Sequence, residues 1–365
     1  VEGGAGDGGL QTGEDQDDGQ GDGTSDGHGR SSRRSVEART LERARPARQQ
    51  PATLRAAHAR GERSMTEAEA AGGPTTEALW RGSVRRWECD ENDHLNVRFH
   101  FAAVGEALEY LFRSRFARPA PRIVRQHARF VAEALMATPL LARGAVVDAT
   151  ETGVSVWIEL VGAVSGTVHS AFLSELDVTA AELGLDAARL PGLACLPAHG
   201  ARRGLLLPMR RTALPTLADA ERLPTVEIGR GVFGEAECIG GTVTPSAFVG
   251  RISDGIMNLI SHLHGGDAVA TRQSGRIGGA VVEYELVYAR PATPGTTFLA
   301  RSGIAGLEGR IQRFCHWLFD ASTGEMLCAS NAIAVALDLE TRRAARFTDA
   351  QRAAIEAHCA PELAL

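Results

Sequence analysis

The sequence repeats itself, and that limits what it can fold into. Thr138–Arg143 reads TPLLAR, and 158 residues later Thr296–Arg301 reads TTFLAR. Gly166 and Ala171 recur at the same spacing as Gly324 and Ala329. Cys89 and Cys238 form a further pair, 149 residues apart. The nine-residue difference falls between a helix and the strand after it, where HGGDAVATRQSG at 264–275 has the character of an insertion. A long period that preserves the order of patterns means one supersecondary unit built twice.

Each unit has the same order of patterns. In the first, LWRGSVRRWEC at 79–89 reads as a strand, and DENDHLN at 90–96 is dense in turn and cap residues. After Asn96, Val97, Phe101, Val104, Leu108 and Leu111 fall on one face of a 3.6-residue period. Phe99, Ala102, Ala103 and Ala107 fill much of the rest, as in a helix buried on most sides. Strands are expected at 122–133, 139–148, 153–162 and 167–178. In the third of these, Val154, Val156, Ile158 and Leu160 alternate with Ser155, Trp157 and Glu159. The second unit opens with a strand near 225–238 and the turn IGGTVTPS. A helix follows to about His264, with Phe248, Ile252, Ile256, Leu259 and Leu263 on one face. Strands are expected at 279–290, 296–304, 309–320 and 326–338.

The units do not fill the chain. Residues 1–28 are rich in Gly, Asp and Glu and residues 30–63 in Arg, with too few large apolar side chains to offset chain entropy. Residues 1–74 are therefore expected to be a disordered acidic and Arg-rich tail, with a transient helix between Val36 and Arg60. It is either a solvated tail or a partner-binding arm. Met65 opens more ordinary sequence and marks a candidate natural start. The expected divisions are a first domain at 75–189, a linker at 190–222 with Pro191, Pro197, Pro208 and Pro215, a second domain at 223–345, and a C-terminal helical tail at 346–365.

Charge and cysteine usage narrow the class. All 39 basic residues are Arg against 45 acidic ones, a net charge of −6 that argues against a non-specific nucleic-acid binder. An Arg-only basic complement with abundant Ala and Gly fits a GC-rich bacterial gene. There is no apolar run of the roughly 18 residues a membrane span needs and no signal-peptide pattern, so a cytoplasmic protein with no nucleic-acid or membrane partner is expected. The six cysteines form no CxxC pair and no zinc-spaced set with His, so no metal is expected.

A long helix wrapped by an antiparallel sheet resembles the hotdog fold. WECDENDHLN, then a helix, then ARFVAEALMATPLLARG, resembles the acyl-CoA and acyl-carrier-protein thioesterases of that fold, including the 4-hydroxybenzoyl-CoA thioesterase-like group. The family pattern is an Asp, a turn, a His, a small or branched apolar residue and an Asn. Here these are Asp90, His94, Leu95 and Asn96, with Asp93 where many relatives carry Gly. The order Asp90, Asn92, His94 with a later Glu133 is also similar to plant-type acyl-carrier-protein thioesterases, which carry it in their second repeat rather than the first. The resemblance covers about 75–340. It implies an α+β fold of two tandem hotdog domains.

What it implies chemically is hydrolysis of an acyl-CoA or acyl-carrier-protein thioester to acid and thiol. Such a reaction needs a nucleophile or activated water, a base and oxyanion donors. By resemblance Asp90 is the base or nucleophile, with Asn92, His94 and Glu133 in support. The first-turn amides after Asn96 are the candidate oxyanion hole. Asn96, Val97 and Arg98 on the first helix, with Arg251 and Asp254 on the second, are the candidate substrate-binding residues. In the second unit Ile239, Gly241 and Val243 are expected in place of Asp90, Asn92 and His94, and Pro291 near Glu133, which leaves one competent site per chain, near the interface of the units. No cofactor is implied, and a homodimer of double-hotdog chains is a further expectation.

Other readings stay open at this point. DENDH before a helix also suits a plain N-cap. RISDG at 251–255 resembles the Ser-Asp of another tandem-hotdog group, with no matching Gln near Asn331. Arg125, Arg129 and Arg143 suit either CoA phosphates or a solvated strand face. A hotdog enoyl hydratase would set its His five residues after the Asp, with a Pro between, whereas His94 is four after Asp90. A non-catalytic acyl-binding module is the remaining alternative.

Overall fold

A computed structural model of the chain describes residues 76–205, 214–264, 270 and 274–364. The expected tail at 1–74, with Met65, lies outside the described residues, as do parts of the linker and of the insertion.

The first copy comprises β1 (Glu77–Ser83), α1 (Val97–Phe116), β2 (Ile123–Phe130), β3 (Pro139–Ala149), β4 (Val154–Gly162) and β5 (Val168–Leu176). After a short helix α2 (Leu217–Arg222), the order recurs as β6 (Val226–Val232), a two-residue pair β7 (Cys238–Ile239) and β8 (Thr242–Val243), α3 (Pro245–His264), β9 (Ile277–Tyr288), β10 (Thr297–Glu308), β11 (Ile311–Asp320) and β12 (Met326–Asp338). The short β13 (Arg343–Ala344) and α4 (Asp349–Glu356) follow.

One antiparallel sheet runs through both copies in the order β1-β3-β4-β5-β2-β9-β12-β11-β10-β6. The order is the same unit read from either end, so a pseudo-twofold axis passes between β2 and β9. These two strands pair from Arg125↔Val287 to Arg129↔Glu283. The copies are joined by backbone hydrogen bonds as well as by side chains.

Both long helices pack against this sheet and against each other in one apolar core. The Asn96 side chain caps α1 by accepting from the Arg98 N–H. The helix ends where Ala117 turns left-handed. Between these ends the expected apolar face is buried: Phe101, Val104, Leu108 and Leu111 are each 2% exposed or less. Burying each such side chain stabilises the fold by about 1.5–3 kcal/mol. Phe101 meets Phe172 of β5 edge-on, with ring centroids 4.9 Å apart. On α3, Phe248, Ile252, Leu259 and Leu263 are buried as the periodicity predicts.

The linker is not a free tether. Residues 198–205 cross the outer face of the sheet and are pinned by buried acids. Glu283 accepts from the N–H groups of Arg203, Gly204 and Leu205 and pairs with His127 at 2.8 Å and Arg129 at 3.2 Å. Glu159 holds His199 and Arg143, and Glu285 holds Arg202 and Arg125. Burial opposes the Glu283 charge, but the His127 and backbone hydrogen bonds outweigh it and bring its pKa down to about 2. Arg125, Arg129 and Arg143, candidates for CoA phosphates, are thus committed to carboxylates on the outer face.

Candidate functional site

The turn between β1 and α1 is held in one shape by its own backbone. Asp90 N–H donates to the His94 carbonyl, and Asp93 N–H donates to the Asp90 carbonyl. Asp93 has φ 60°, the left-handed region that favours glycine. Its carboxylate meets Arg86 at 2.6 Å. An Asp thus takes the conformation for which the resemblance expects Gly. Leu95 N–H then bonds the Ala134 carbonyl, which docks the turn on the segment carrying Glu133.

That docking assembles a relay. Asp90 Oδ2 lies 3.2 Å from His94 Nε2, and Glu133 Oε1 lies 2.9 Å from His94 Nδ1. Asp90 Oδ1 accepts from the Asn92 N–H at 2.9 Å, so both carboxylate oxygens are oriented. Carboxylates only accept, so an imidazole between two of them is satisfied on both sides only as the imidazolium. Burial works against that charge, but the hydrogen bonds and charges of Asp90 and Glu133 outweigh it and raise the His94 pKa. The Asp90 and His94 side chains are only 15% and 12% exposed, which strengthens the pairing. Because both ring nitrogens face carboxylates, neither is left for a metal. Among the described residues no cluster of His, Cys, Asp and Glu is placed to hold one.

The relay stands on the wall of a cavity of about 1270 Å³, lined largely by α1, α3, β9, β11 and β12 and by residues of α4. Of the first amides of α1, Arg98 N–H is taken by the Asn96 side chain and Phe99 N–H by the Asn96 carbonyl. Val97 N–H has no partner among the described residues, and Val97 lines the cavity with Asp90, His94 and Glu133. Of the first-turn amides Val97, Arg98 and Phe99, only that of Val97 is open to a ligand in the cavity.

The other candidates separate. Asn92 is 2% exposed and is not on the cavity wall. Its Nδ2 donates to the Gly279 carbonyl of β9, so it ties the turn to the second copy rather than reaching a substrate. Asn96 Nδ2 donates to Ser253 Oγ on α3. Arg98 approaches Asp254 at 3.7 Å, and Asp254, with its side chain 58% exposed, is a rim acid rather than a buried one. Arg251 turns away from the cavity: it pairs with Glu237 at 2.7 Å and lies over the Phe233 and Phe298 rings. Sequence reasoning missed Arg342, after β12, which donates to the Asn92 carbonyl at 2.9 Å and meets Glu133 at 3.3 Å. No local pattern in the sequence signals a contact 250 residues away.

No protein-family model matches the sequence, and no curated protein sequence matches it. Solved structures do. A provisionally named oleoyl thioesterase from Lactobacillus plantarum superposes with a TM-score of 0.50 at 9% identity, covering 73% of this chain and 98% of its own. An acyl-ACP thioesterase from Bacteroides thetaiotaomicron (TM-score 0.49, 9% identity, 73% of this chain and 99% of that one) is also similar. So is a 12:0-ACP thioesterase from Umbellularia californica (TM-score 0.49, 8% identity, 72% and 94%). The chain is a double hotdog. Its second copy lacks the relay, as the repeat implied, but with one shift. Leu95 N–H bonds Ala134, and Val243 N–H bonds Ala292, so Val243 corresponds to Leu95 and Thr242, not Val243, stands at the His94 position. The second turn of this double hotdog is one residue shorter. By the same register Pro291 replaces Glu133.

Proposed function

We propose that the chain hydrolyses an acyl thioester of CoA or of acyl carrier protein to free acid and thiol. The observation that carries this reading is the Asp90–His94–Glu133 relay on the wall of a large cavity, with the unpaired Val97 N–H beside it. The acyl group enters the cavity and its carbonyl oxygen accepts from Val97 N–H, at the positive end of α1. Asp90, held at both oxygens, takes the proton of the attacking water, or attacks the acyl carbon itself to expel the thiolate and give a mixed anhydride that water then hydrolyses. His94, charged between its two carboxylates, holds Asp90 in place while the proton taken from water passes from Asp90 to the departing thiolate. Glu133 and Arg342 position His94, and Asn92 positions the turn. This chemistry calls on no metal or redox cofactor. CoA and carrier-protein thioesters are intracellular, so a cytoplasmic location goes with the reading.

The test is thiol release from short, medium, long and aromatic acyl-CoAs, followed by carrier-linked acyl groups. Turnover that falls at least about a hundredfold in a folded Asp90→Asn protein supports the assignment. A folded chain that releases thiol from neither class of ester overturns the thioesterase reading. Normal turnover in Asp90→Asn overturns the role of Asp90.

A further inference from the structure

The wall of the cavity carries a second group of polar side chains that the hydrolytic reading does not use. Gln312, Phe314 and His316 alternate along β11 and therefore share one face, and all three line the cavity together with Tyr284 of β9. Tyr284 and His316 are 2% exposed and Gln312 is 7% exposed, so all are more than nine-tenths buried. The His316 ring lies 6.2 Å from that of Tyr284 and stacks on Phe314 at 5.9 Å.

Each presents a polar atom to the cavity that no described residue satisfies. His316 Nδ1 is fixed by Ser302 Oγ at 2.7 Å, which leaves Nε2 without a protein partner among the described residues. The Tyr284 hydroxyl and the Gln312 amide make no hydrogen bond to any described residue. All three side chains line the cavity, so these atoms are open to a ligand or to water that a ligand displaces.

The fold does not demand them. The two copies superpose in register at 158 residues: Gly144 faces Ile158 across β3 and β4 as Ser302 faces His316 across β10 and β11. By this register the first-copy counterparts of Gln312, Phe314 and His316 are Val154, Val156 and Ile158, all apolar and buried. The counterpart of Ser302 is Gly144. The hydroxyl that anchors His316 and the imidazole itself thus occur together in the second copy and are both missing from the first. The counterpart of Tyr284 is Gln126, which is polar but satisfied by Ser174 and Tyr288.

The chemistry of the group selects its ligand. Burial lowers the His316 pKa to about 3 and raises that of Tyr284, so both side chains are neutral. Neutral donors and acceptors in an apolar wall suit an uncharged oxygen and not a carboxylate, whose charge would be stranded. The Tyr284 ring packs edge-on against Phe101, one turn along α1 from Val97, with centroids 6.2 Å apart. The group therefore meets the part of an acyl chain that lies beyond a carbonyl placed at Val97.

We propose that this end of the cavity binds an uncharged hydroxyl or keto oxygen on the acyl chain, so that the preferred substrate is an oxygenated acyl thioester rather than a plain saturated one. The inference rests on the thioesterase reading for its substrate, but not for its test. The full chain is compared on dodecanoyl-CoA and on its mid-chain hydroxy, mid-chain keto and ω-hydroxy derivatives. At least one oxygenated ester should exceed dodecanoyl-CoA in kcat/KM by about tenfold or more, the value of one well-placed buried hydrogen bond. Tyr284→Phe and His316→Leu should each pull that ratio towards one. The ratio is internal to each variant, so a general loss of activity does not mimic the effect.

Binding of the corresponding free acids, measured by calorimetry, gives the same comparison without turnover. If no ester is hydrolysed but the oxygenated acids bind about tenfold tighter, and Tyr284→Phe removes the difference, the thioesterase reading fails and the polar subsite stands. If dodecanoyl-CoA is hydrolysed, and its acid bound, at least as well as every oxygenated form, the subsite is overturned and the hydrolytic reading stands.

Discussion

Replacing Glu133 with Gln removes one charge from the relay and little else. The amide keeps an oxygen that can accept from His94 Nδ1, 2.9 Å away, and from Arg342. What is lost is the Coulomb attraction that helps hold His94 protonated. Two unit charges about 4 Å apart interact by ~1 kcal/mol in water and ~4 kcal/mol near a protein surface. The Glu133 side chain is 32% exposed, so the lower part of that range applies, about 1–1.5 kcal/mol, and its loss lowers the His94 pKa in the variant. If His94 must be protonated to hold Asp90 in place, kcat/KM falls as pH rises through its raised pKa. In Glu133→Gln that alkaline limb should move towards lower pH. Stability follows the same sign. A raised folded-state pKa gives stabilisation that is complete below the ordinary histidine value and lost as pH rises through the folded one. In the variant the stabilisation should therefore be smaller and its loss complete at a lower pH. The assay is thiol release from one good acyl-CoA substrate across the pH range, with a thermal melt at each pH. A lowered rate with an unmoved alkaline limb would refute the reasoning, because the Glu133 charge would then not act through His94.

Asp90→Asn should lower kcat at least about a hundredfold with the melt nearly unchanged, read by thiol release and circular dichroism. Gly278→Ala should cost about 1–3 kcal/mol in chemical denaturation and reduce activity as well. A Cβ there would drive into Asn92 Oδ1, whose amide ties the Asp90–Asn96 turn to β9. Glu283→Gln should destabilise the fold by roughly 3 kcal/mol at neutral pH, because it strands His127 and Arg129 under the linker. The wild-type contribution of Glu283 is present above the ordinary carboxylate pKa and is lost as pH falls towards about 2, so the wild-type and Gln melts should converge in acid.

Much of the architecture was legible because it rests on periodicity. A buried helix must show its 3.6-residue face, and a chain that builds the same unit twice shows matching residues at matching steps. The turn Asp90–Asn96 was visible for the same reason, since caps and turns are local. What stayed hidden depends on contacts between distant segments. Arg251 lies on the second long helix as expected, yet Glu237 and two Phe rings turn it from the cavity. Arg342 looks like one Arg among many until the fold brings it to Glu133. Asn92 was expected at the substrate and lies instead against Gly279. The one-residue shortening of the second turn defeats a simple fixed offset, and only the Leu95–Ala134 and Val243–Ala292 hydrogen bonds reveal it. The polar stripe on β11 was missed although its signal is local: Gln312, Phe314 and His316 alternate in the sequence, and period two places them on one face.

The seam between β2 and β9 has a consequence for how the site responds to dilution. Asn92 meets Gly279, Asn96 meets Ser253 and Glu133 meets Arg342, so the Asp90–Asn96 turn and its relay are completed by groups from the other copy. Were the copies separate molecules, each of these contacts would depend on protein concentration and would vanish as subunits parted. Here the partner surface is on the same polypeptide, at a local concentration fixed by the linker and the strand pairing. Specific activity should therefore stay constant down to nanomolar enzyme, where a weakly associated pair of single-copy chains would fall silent.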